Sequence, residues 1–258
     1  MITVLAVHFA VAAAAPFLFR KFGRNSFYAL AAVPAASFIW LILQHGAVYS
    51  DAAAGSSPAG TAEVLPWIPG LQLELAFRMD ALAWVMSLLI LGVGALVLVY
   101  CARYFKTKDD YLGGFGAQLL AFAGAMFGLV TADDLLLMFI FWELTTVLSY
   151  LLIGYARTRL SARRSALQAL IVTTAGGLAM LVGLIMLGFS AGTYRISDIL
   201  AQAPALVRGP AGAAVGTAVV LILIGAITKS ALVPFHFWLP APWQPRRRSA
   251  PTCMPQPW

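Results

Sequence analysis

The feature that most constrains this chain is the return, seven times over, of an apolar stretch long enough to cross a lipid bilayer. The stretches cover residues 2–19, 27–45, 80–103, 112–130, 134–155, 166–190 and 212–239. A spanning helix needs roughly 20 predominantly apolar residues. In hydrocarbon every backbone polar group must be satisfied within the segment, which favours helices. Composition agrees: 61% of the 258 residues are hydrophobic and 10% are charged, against roughly 25% charged in soluble domains. The predicted fold class is all-α, a polytopic transmembrane helix bundle of about seven helices with a Pro-broken seventh helix. The opening Met1-Ile-Thr-Val has no basic flank and no A-x-A-like site follows, so the first helix is expected to stay rather than be cleaved as a signal peptide.

The connections between stretches test this count. Arg20, Lys21 and Arg24 follow the first stretch, and Arg103, Lys106 and Lys108 follow the third. Arg157, Arg159, Arg163 and Arg164 follow the fifth, and Arg246, Arg247 and Arg248 follow the seventh. The even-numbered connections hold Arg78, Arg195 and Arg208, and Lys229 lies inside a stretch. Thirteen of the 17 basic residues thus fall on one side. Basic residues mark cytoplasmic loops, so the N-terminus is expected outside, with residue 240 and the tail in the cytoplasm of a cell-membrane protein. This asymmetry accounts for the net charge of +7 without a nucleic-acid partner.

The longest connection, 46–79, begins Gly/Ser/Pro-rich and then alternates apolar and polar residues over Leu71-Gln-Leu-Glu-Leu-Ala-Phe77. That alternation predicts a short strand or hairpin outside the membrane. Residues 191–209 read as an amphipathic segment lying on the outer surface. No GxGxxG, no Walker sequence and no Cys/His pair at zinc spacing occurs. The two cysteines, Cys101 and Cys253, form no motif, so no organic cofactor and no metal site is expected.

Most acidic residues lie in loops or at helix ends. Asp133 and Asp134 sit where the fifth stretch starts, and read as a capped, solvated helix end. Glu143, in Phe139-Ile-Phe-Trp-Glu-Leu-Thr-Thr, and Lys229, in Ile224-Gly-Ala-Ile-Thr-Lys-Ser-Ala, are different because they lie deep in apolar stretches. An ionisable group at that depth costs about 2.5–3.5 kcal/mol or more. Two of opposite sign suggest that each offsets the other's desolvation. Burial disfavours the charged form of either group and a neighbour of opposite charge restores it, so moving one against the other makes a proton switch. A salt bridge that merely locks two helices is the plainer alternative. Pro234 follows Lys229 by five residues in Ala231-Leu-Val-Pro-Phe-His-Phe-Trp-Leu-Pro240. Proline frees a carbonyl one turn earlier, and broken membrane helices border polar cavities or ion sites. Lys229, the break and His236 together read as part of a relay. His8 and His45 are solitary and near membrane edges. The glycines of the third, fourth and sixth stretches read as close-packing positions. Trp84 and Trp142 fit anchors or packing residues equally well.

The strings Met79-Asp-Ala-Leu-Ala, Ala132-Asp-Asp-Leu-Leu-Leu-Met-Phe-Ile-Phe-Trp-Glu-Leu-Thr-Thr145, Ser149-Tyr-Leu-Leu-Ile-Gly154 and Thr228-Lys-Ser-Ala-Leu-Val-Pro-Phe-His-Phe-Trp-Leu-Pro240 resemble the antiporter-like subunits. That family includes large pump subunits of respiratory complex I and of Mrp-type cation/proton antiporters. The Leu65-Pro-Trp-Ile-Pro69 loop and the Trp-Glu-Leu-Thr-Thr form look more like the A-type subunit of Mrp antiporters than the complex I protein. The resemblance implies Na⁺/H⁺ antiport within a hetero-oligomeric membrane complex of other Mrp-type subunits. It implies proton translocation by Glu143, Lys229 and His236. Residues 1–111 correspond to three N-terminal helices with the outer loop, and 112–240 to helices four to seven of an incomplete half-channel. The alternatives are a proton-pumping component of complex I and a non-transporting membrane scaffold.

From Ala241 the family pattern stops. Codons that spell the tail Pro242-Trp-Gln-Pro-Arg-Arg-Arg-Ser-Ala-Pro-Thr-Cys-Met-Pro-Gln-Pro-Trp258 also encode, two bases along, Met-Ala-Ala-Pro-Thr-Pro-Val-Ser-Ala-Tyr-Leu-His-Ala-Ala-Thr-Met. That second reading opens the family's next helix. Residues 241–258 are therefore expected to be a frameshift product, which would leave a truncated protein without the eighth helix.

Overall fold

The computed structural model describes residues 1–44, 61–68, 70, 73–105, 111–154 and 160–238. His45, the Gly/Ser/Pro-rich part of the first outer loop, Pro69, Lys106, Lys108, Arg157, Arg159 and everything from Leu239 onward lie outside the described residues. The helices are α1 (Ile2–Phe22), α2 (Ser26–Leu43), α3 (Ala81–Tyr104), α4 (Leu112–Thr131), α5 (Leu135–Ile153), α6 (Leu160–Ala191), α7 (Ile196–Arg208) and α8 (Gly212–Lys229). Strands β1 (Thr61–Ile68) and β2 (Leu73–Met79) form the hairpin expected outside the membrane, antiparallel with Leu65 opposite Leu75 and an irregularity between Pro66 and Ile68. Six helical runs among the described residues are apolar and long enough to span. The first, Ile2–Leu43 at 42 residues, doubles back at Gly23, whose φ of +57° is in the region that favours glycine. Met1 and Leu41 accordingly share one apolar cluster, and that run makes two passes. Seven passes result, as the apolar stretches predict, in an all-α bundle.

Two clusters build the N-terminal half. One gathers Leu5, Leu41, Leu91, Phe127 and Phe141 toward the hairpin end, and the other gathers Ala15, Phe27, Leu30, Leu98 and Leu120 toward the α1–α2 turn. Large apolar side chains such as Leu43, Leu96 and Phe189 point outward, as lipid-facing positions do. Trp84 donates from its indole nitrogen to the Leu41 carbonyl at 2.9 Å, which makes it a tie between α3 and α2. Asp80 starts α3 by accepting from the Ala83 amide at 2.8 Å.

Two expectations need correction. Asp134 does cap α5, accepting from the Leu136 and Leu137 amides at 2.9 Å each. The end is buried, however, not solvated: Asp133 and Asp134 are 8% and 4% exposed. Asp133 faces α7, where it accepts from the Ser197 amide at 3.0 Å and the Ser197 hydroxyl at 2.9 Å. Its own amide donates to Ala76 of β2 at 2.8 Å. Asp133 thus sews the hairpin, α5 and α7 into one cap, which explains a buried charge there. His8 is fully buried. It packs against Gly124 of α4, where a Cβ would lie 2.9 Å from the His8 Cβ. Last, the seventh stretch breaks at Lys229, ahead of Pro234. Pro234 cannot donate to the residue 230 carbonyl and its ring crowds that carbonyl, so helix geometry ends a turn early, with Ala231 at φ +51°. The broken segment satisfies the helix end itself: Leu232 donates to Ile227 at 3.2 Å and the Trp238 indole to Thr228 at 2.9 Å.

A candidate proton-handling site between α5, α6 and α8

Helix α5 carries Trp142, Glu143, Thr145, Thr146 and Ser149 on otherwise apolar turns. Trp142, Thr145, Thr146 and Ser149 follow the spacing of one helix face. Helix α8 delivers Lys229 as its last residue. Helix α6 lies against both through adjacent glycines: a Cβ on Gly176 would collide with the Thr228 hydroxyl of α8, and one on Gly177 with Glu143 Oε1 of α5. Small residues let spanning helices approach this closely. Met180 and Leu184 of α6 join Leu135 of α5 and Ile199 of α7 in the cluster beside them.

Glu143 and Lys229 do not form an ion pair. Among the described residues the ion pairs are the Met1 amine with Glu63 and Arg195 with Glu74. The Lys229 ammonium instead donates to the Trp142 carbonyl at 2.7 Å, to the Thr146 hydroxyl at 3.1 Å and to the Thr145 hydroxyl. It also sits 4.4 Å from the centre of the Trp142 ring, a cation–π geometry. Glu143 Oε1 and the Trp142 indole nitrogen are fully shielded and have no hydrogen-bond partner among the described residues. His236 lies on the short 3₁₀ turn Phe235–Trp238 and is exposed. It has no hydrogen bond to a described residue, so no bond ties it to Glu143 or to Lys229.

Thr145 and Thr146 are not singled out by the sequence as ligands. A signal is present all the same: a polar stripe at positions i, i+3, i+4 and i+7 on a helix that is otherwise hydrocarbon. At the N-cap that precedes the spanning helix Leu135–Ile153, burial pushes the Asp134 carboxyl above the ordinary range, while the Leu137 and Leu136 amides pull it back.

Residues 132–250 match the family model described as NADH:quinone oxidoreductase/Mrp antiporter, TM. Residues 67–115 match the one described as NADH-Ubiquinone oxidoreductase (complex I), chain 5 N-terminus. The probable K⁺/H⁺ antiporter A/B protein of Rhizobium meliloti (strain 1021) is 47% identical over 176 residues, 68% of this chain and 17% of that protein. The putative antiporter subunit mnhA2 of Staphylococcus haemolyticus (strain JCSC1435) is 40% identical over 176 residues, 68% of this chain and 22% of that protein. A chain in the structure of the Mrp complex from Dietzia sp. DQ12-45-1b superposes with a TM-score of 0.79 at 35% identity, covering 92% of this chain and 24% of that one. A chain of the membrane-bound sulfane sulfur reductase, an archaeal respiratory membrane complex, shares the fold at a TM-score of 0.72 and 17% identity, covering 91% and 34%.

The family-model matches, the identities and the shared fold of spanning helices place the chain in the family of antiporter-like membrane subunits, to which it belongs. Within it, the similarity is to the N-terminal portion of the A-type subunit of Mrp antiporters. The chain spans about a fifth of the length of the curated relatives it matches.

Proposed function

We propose that this chain is the N-terminal part of one component of a multi-subunit monovalent cation/proton antiporter, in which Glu143 and Lys229 handle the proton. The observation that carries this reading is a fully shielded oxygen of the Glu143 carboxyl with no hydrogen-bond partner among the described residues, beside an ammonium held by protein oxygens on a neighbouring helix of a spanning bundle. A carboxylate left this way is costly as a charge and readily takes up a proton, while an approaching ammonium expels it. His236, exposed beside the break, is proposed as the next group on the path. Partners are the other subunits of the antiporter, with H⁺ and Na⁺ as the ions exchanged. The proposed orientation puts the hairpin and α7 outside and the α1–α2 turn, Arg103, Arg163 and Arg164 in the cytoplasm, because basic residues mark that side.

Lys229→Ala in a full-length, in-frame version of this chain within its complex tests the reading. Loss of Na⁺/H⁺ exchange in membrane vesicles is the expected result, and unchanged exchange would leave Lys229 a scaffold residue. The match of residues 67–115 to the complex I chain 5 family favours a second reading, a proton-pumping component of a quinone oxidoreductase. Genes for small antiporter subunits beside this one would reject it. Residues 241–258 are proposed to be read out of frame. Sequencing the DNA across codon 241 tests that, and an intact reading frame there would overturn it.

A further inference from the structure

We propose that Thr145, Thr146 and the Trp142 carbonyl form a second docking station for the Lys229 ammonium, so that Lys229 alternates between a neutral oxygen cradle and the Glu143 carboxylate. The inference rests on the proton-handling reading above and adds the residues that hold the ammonium when it is away from the carboxylate. Both stations lie on one turn of α5, within reach of one flexible lysine side chain.

The cradle is preorganised. The Thr145 hydroxyl donates to the Trp142 carbonyl at 2.7 Å and the Thr146 hydroxyl donates to it at 3.1 Å. Both hydroxyl oxygens thus lie beside the Trp142 carbonyl, and the ammonium donates to both. Thr145 is 0% and Thr146 3% exposed, so water does not compete. The Trp142 ring face adds a further cation site. Across the same turn, Glu143 Oε1 lies in the space left by the missing side chain of Gly177 and bonds to nothing described.

Lys229 is the charged group that acts on Glu143. Helix α4 carries no charged residue, and α8 carries none besides Lys229. Helix α6 has Arg163 and Arg164, about 20 Å along the helix from Gly177 at 1.5 Å per residue. Strand β2 presents Glu74 and Arg78 at the cap. With the ammonium in the cradle, a proton from water adds to the Glu143 carboxylate to give the neutral acid. When the ammonium crosses to Glu143, that proton returns to water and the ion pair forms. The hydroxyls thereby set the balance between the two states, and they are positioning residues.

Dicyclohexylcarbodiimide reads this balance, because it adds the O–H of a carboxylic acid and does not react with the carboxylate. The whole chain, in lipid bilayer discs at neutral pH, is labelled and the rate at residue 143 is followed by peptide mass spectrometry, with Glu143→Gln as the blank. Thr145→Val with Thr146→Val removes the hydroxyls at nearly constant volume and sends the ammonium to Glu143. Labelling should slow about tenfold or more, the effect of an opposite charge brought into contact. Thr145→Ser with Thr146→Ser should label at the parent rate. Labelling at the parent rate in a folded valine variant overturns the cradle, as does equal slowing in the serine variant. If the double variant does not fold, Thr145→Val alone decides by the same comparison. Failure to label Glu143 even in Lys229→Ala, where no ammonium opposes its protonation, would sink the proton-handling reading together with the cradle.

Discussion

Replacing Gly225 by Ala gives a direct measure of how tightly α6 and α8 are held at the site. A Cβ at Gly225 would lie 2.5 Å from the Met180 Cβ and 2.8 Å from the Gly176 carbonyl oxygen. Neither atom can rotate away, since one is a Cβ and the other is backbone. Ordinary contact begins near 3.4 Å, so the two helices must part by roughly 0.6–0.9 Å. Overpacking of this kind costs about 1–3 kcal/mol. The helix propensity gained on replacing a mid-helix glycine returns up to about 1 kcal/mol. The same replacement at Gly216, on the same helix, meets nothing within 4 Å and keeps the propensity gain alone. The difference between the two variants isolates packing at about 1–3 kcal/mol. Unfolding of both in mixed micelles, followed by circular dichroism, measures it. Equal stability of Gly225→Ala and Gly216→Ala would refute the α6–α8 contact, and with it the level at which Lys229 meets α5.

Asp133→Ala removes two charge-assisted bonds to Ser197 and should cost the cap about 2 kcal/mol. Amide hydrogen exchange at residues 196–200 should then be about 30-fold faster, while exchange in the middle of α5 is unchanged. Burial holds the Asp134 carboxyl above its ordinary value, so the folded state binds that proton more tightly than the unfolded state does. Its contribution to stability is present at pH below the ordinary carboxylate value and is lost as pH rises through the raised one. Thermal unfolding across the acidic range should show that slope, and Asp134→Asn should flatten it. Trp84→Phe deletes the indole bond to Leu41 at about 1 kcal/mol, read as a lower unfolding midpoint.

The bundle was legible because lipid imposes a rule that single residues cannot evade: a stretch of some 20 apolar residues must be a helix. The hairpin was legible from alternation, and β2 runs on to Met79, two residues past the alternating string. Glu143 and Lys229 stood out by depth alone, and the ion pair that depth suggests is not formed. Their partners did not stand out. Depth says that a charge must be compensated; it does not say by what, and a threonine pair competes well with a carboxylate for an ammonium. The reach of Asp133 to α7 and the burial of His8 were hidden for another reason. Both depend on tertiary neighbours far along the chain, Ser197 in one case and Gly124 in the other. The early end of α8 was within reach, because the proline rule places the break one turn ahead of Pro234.

Gly176 and Gly177 are consecutive, so they lie about 100° apart around α6 and serve different neighbours. Gly176 admits Thr228 of α8, and Gly177 admits the Glu143 carboxylate of α5. Helix α6 is therefore the wedge between the two charge-bearing helices, and the two positions separate their contributions. A methyl at Gly177 occupies the place of Glu143 Oε1 and evicts the carboxylate. Lys229 is the positive charge that reaches it, so the displaced carboxylate should pair with the ammonium. Gly177→Ala should then slow carbodiimide labelling of Glu143 about tenfold with little change in unfolding. Gly176→Ala pushes on Thr228, whose hydroxyl already donates to Gly225 at 2.7 Å, and should destabilise the α6–α8 contact by about 1–3 kcal/mol. If the two alanine variants behave alike in both assays, α6 does not separate the charges and the carboxylate is not held by Gly177.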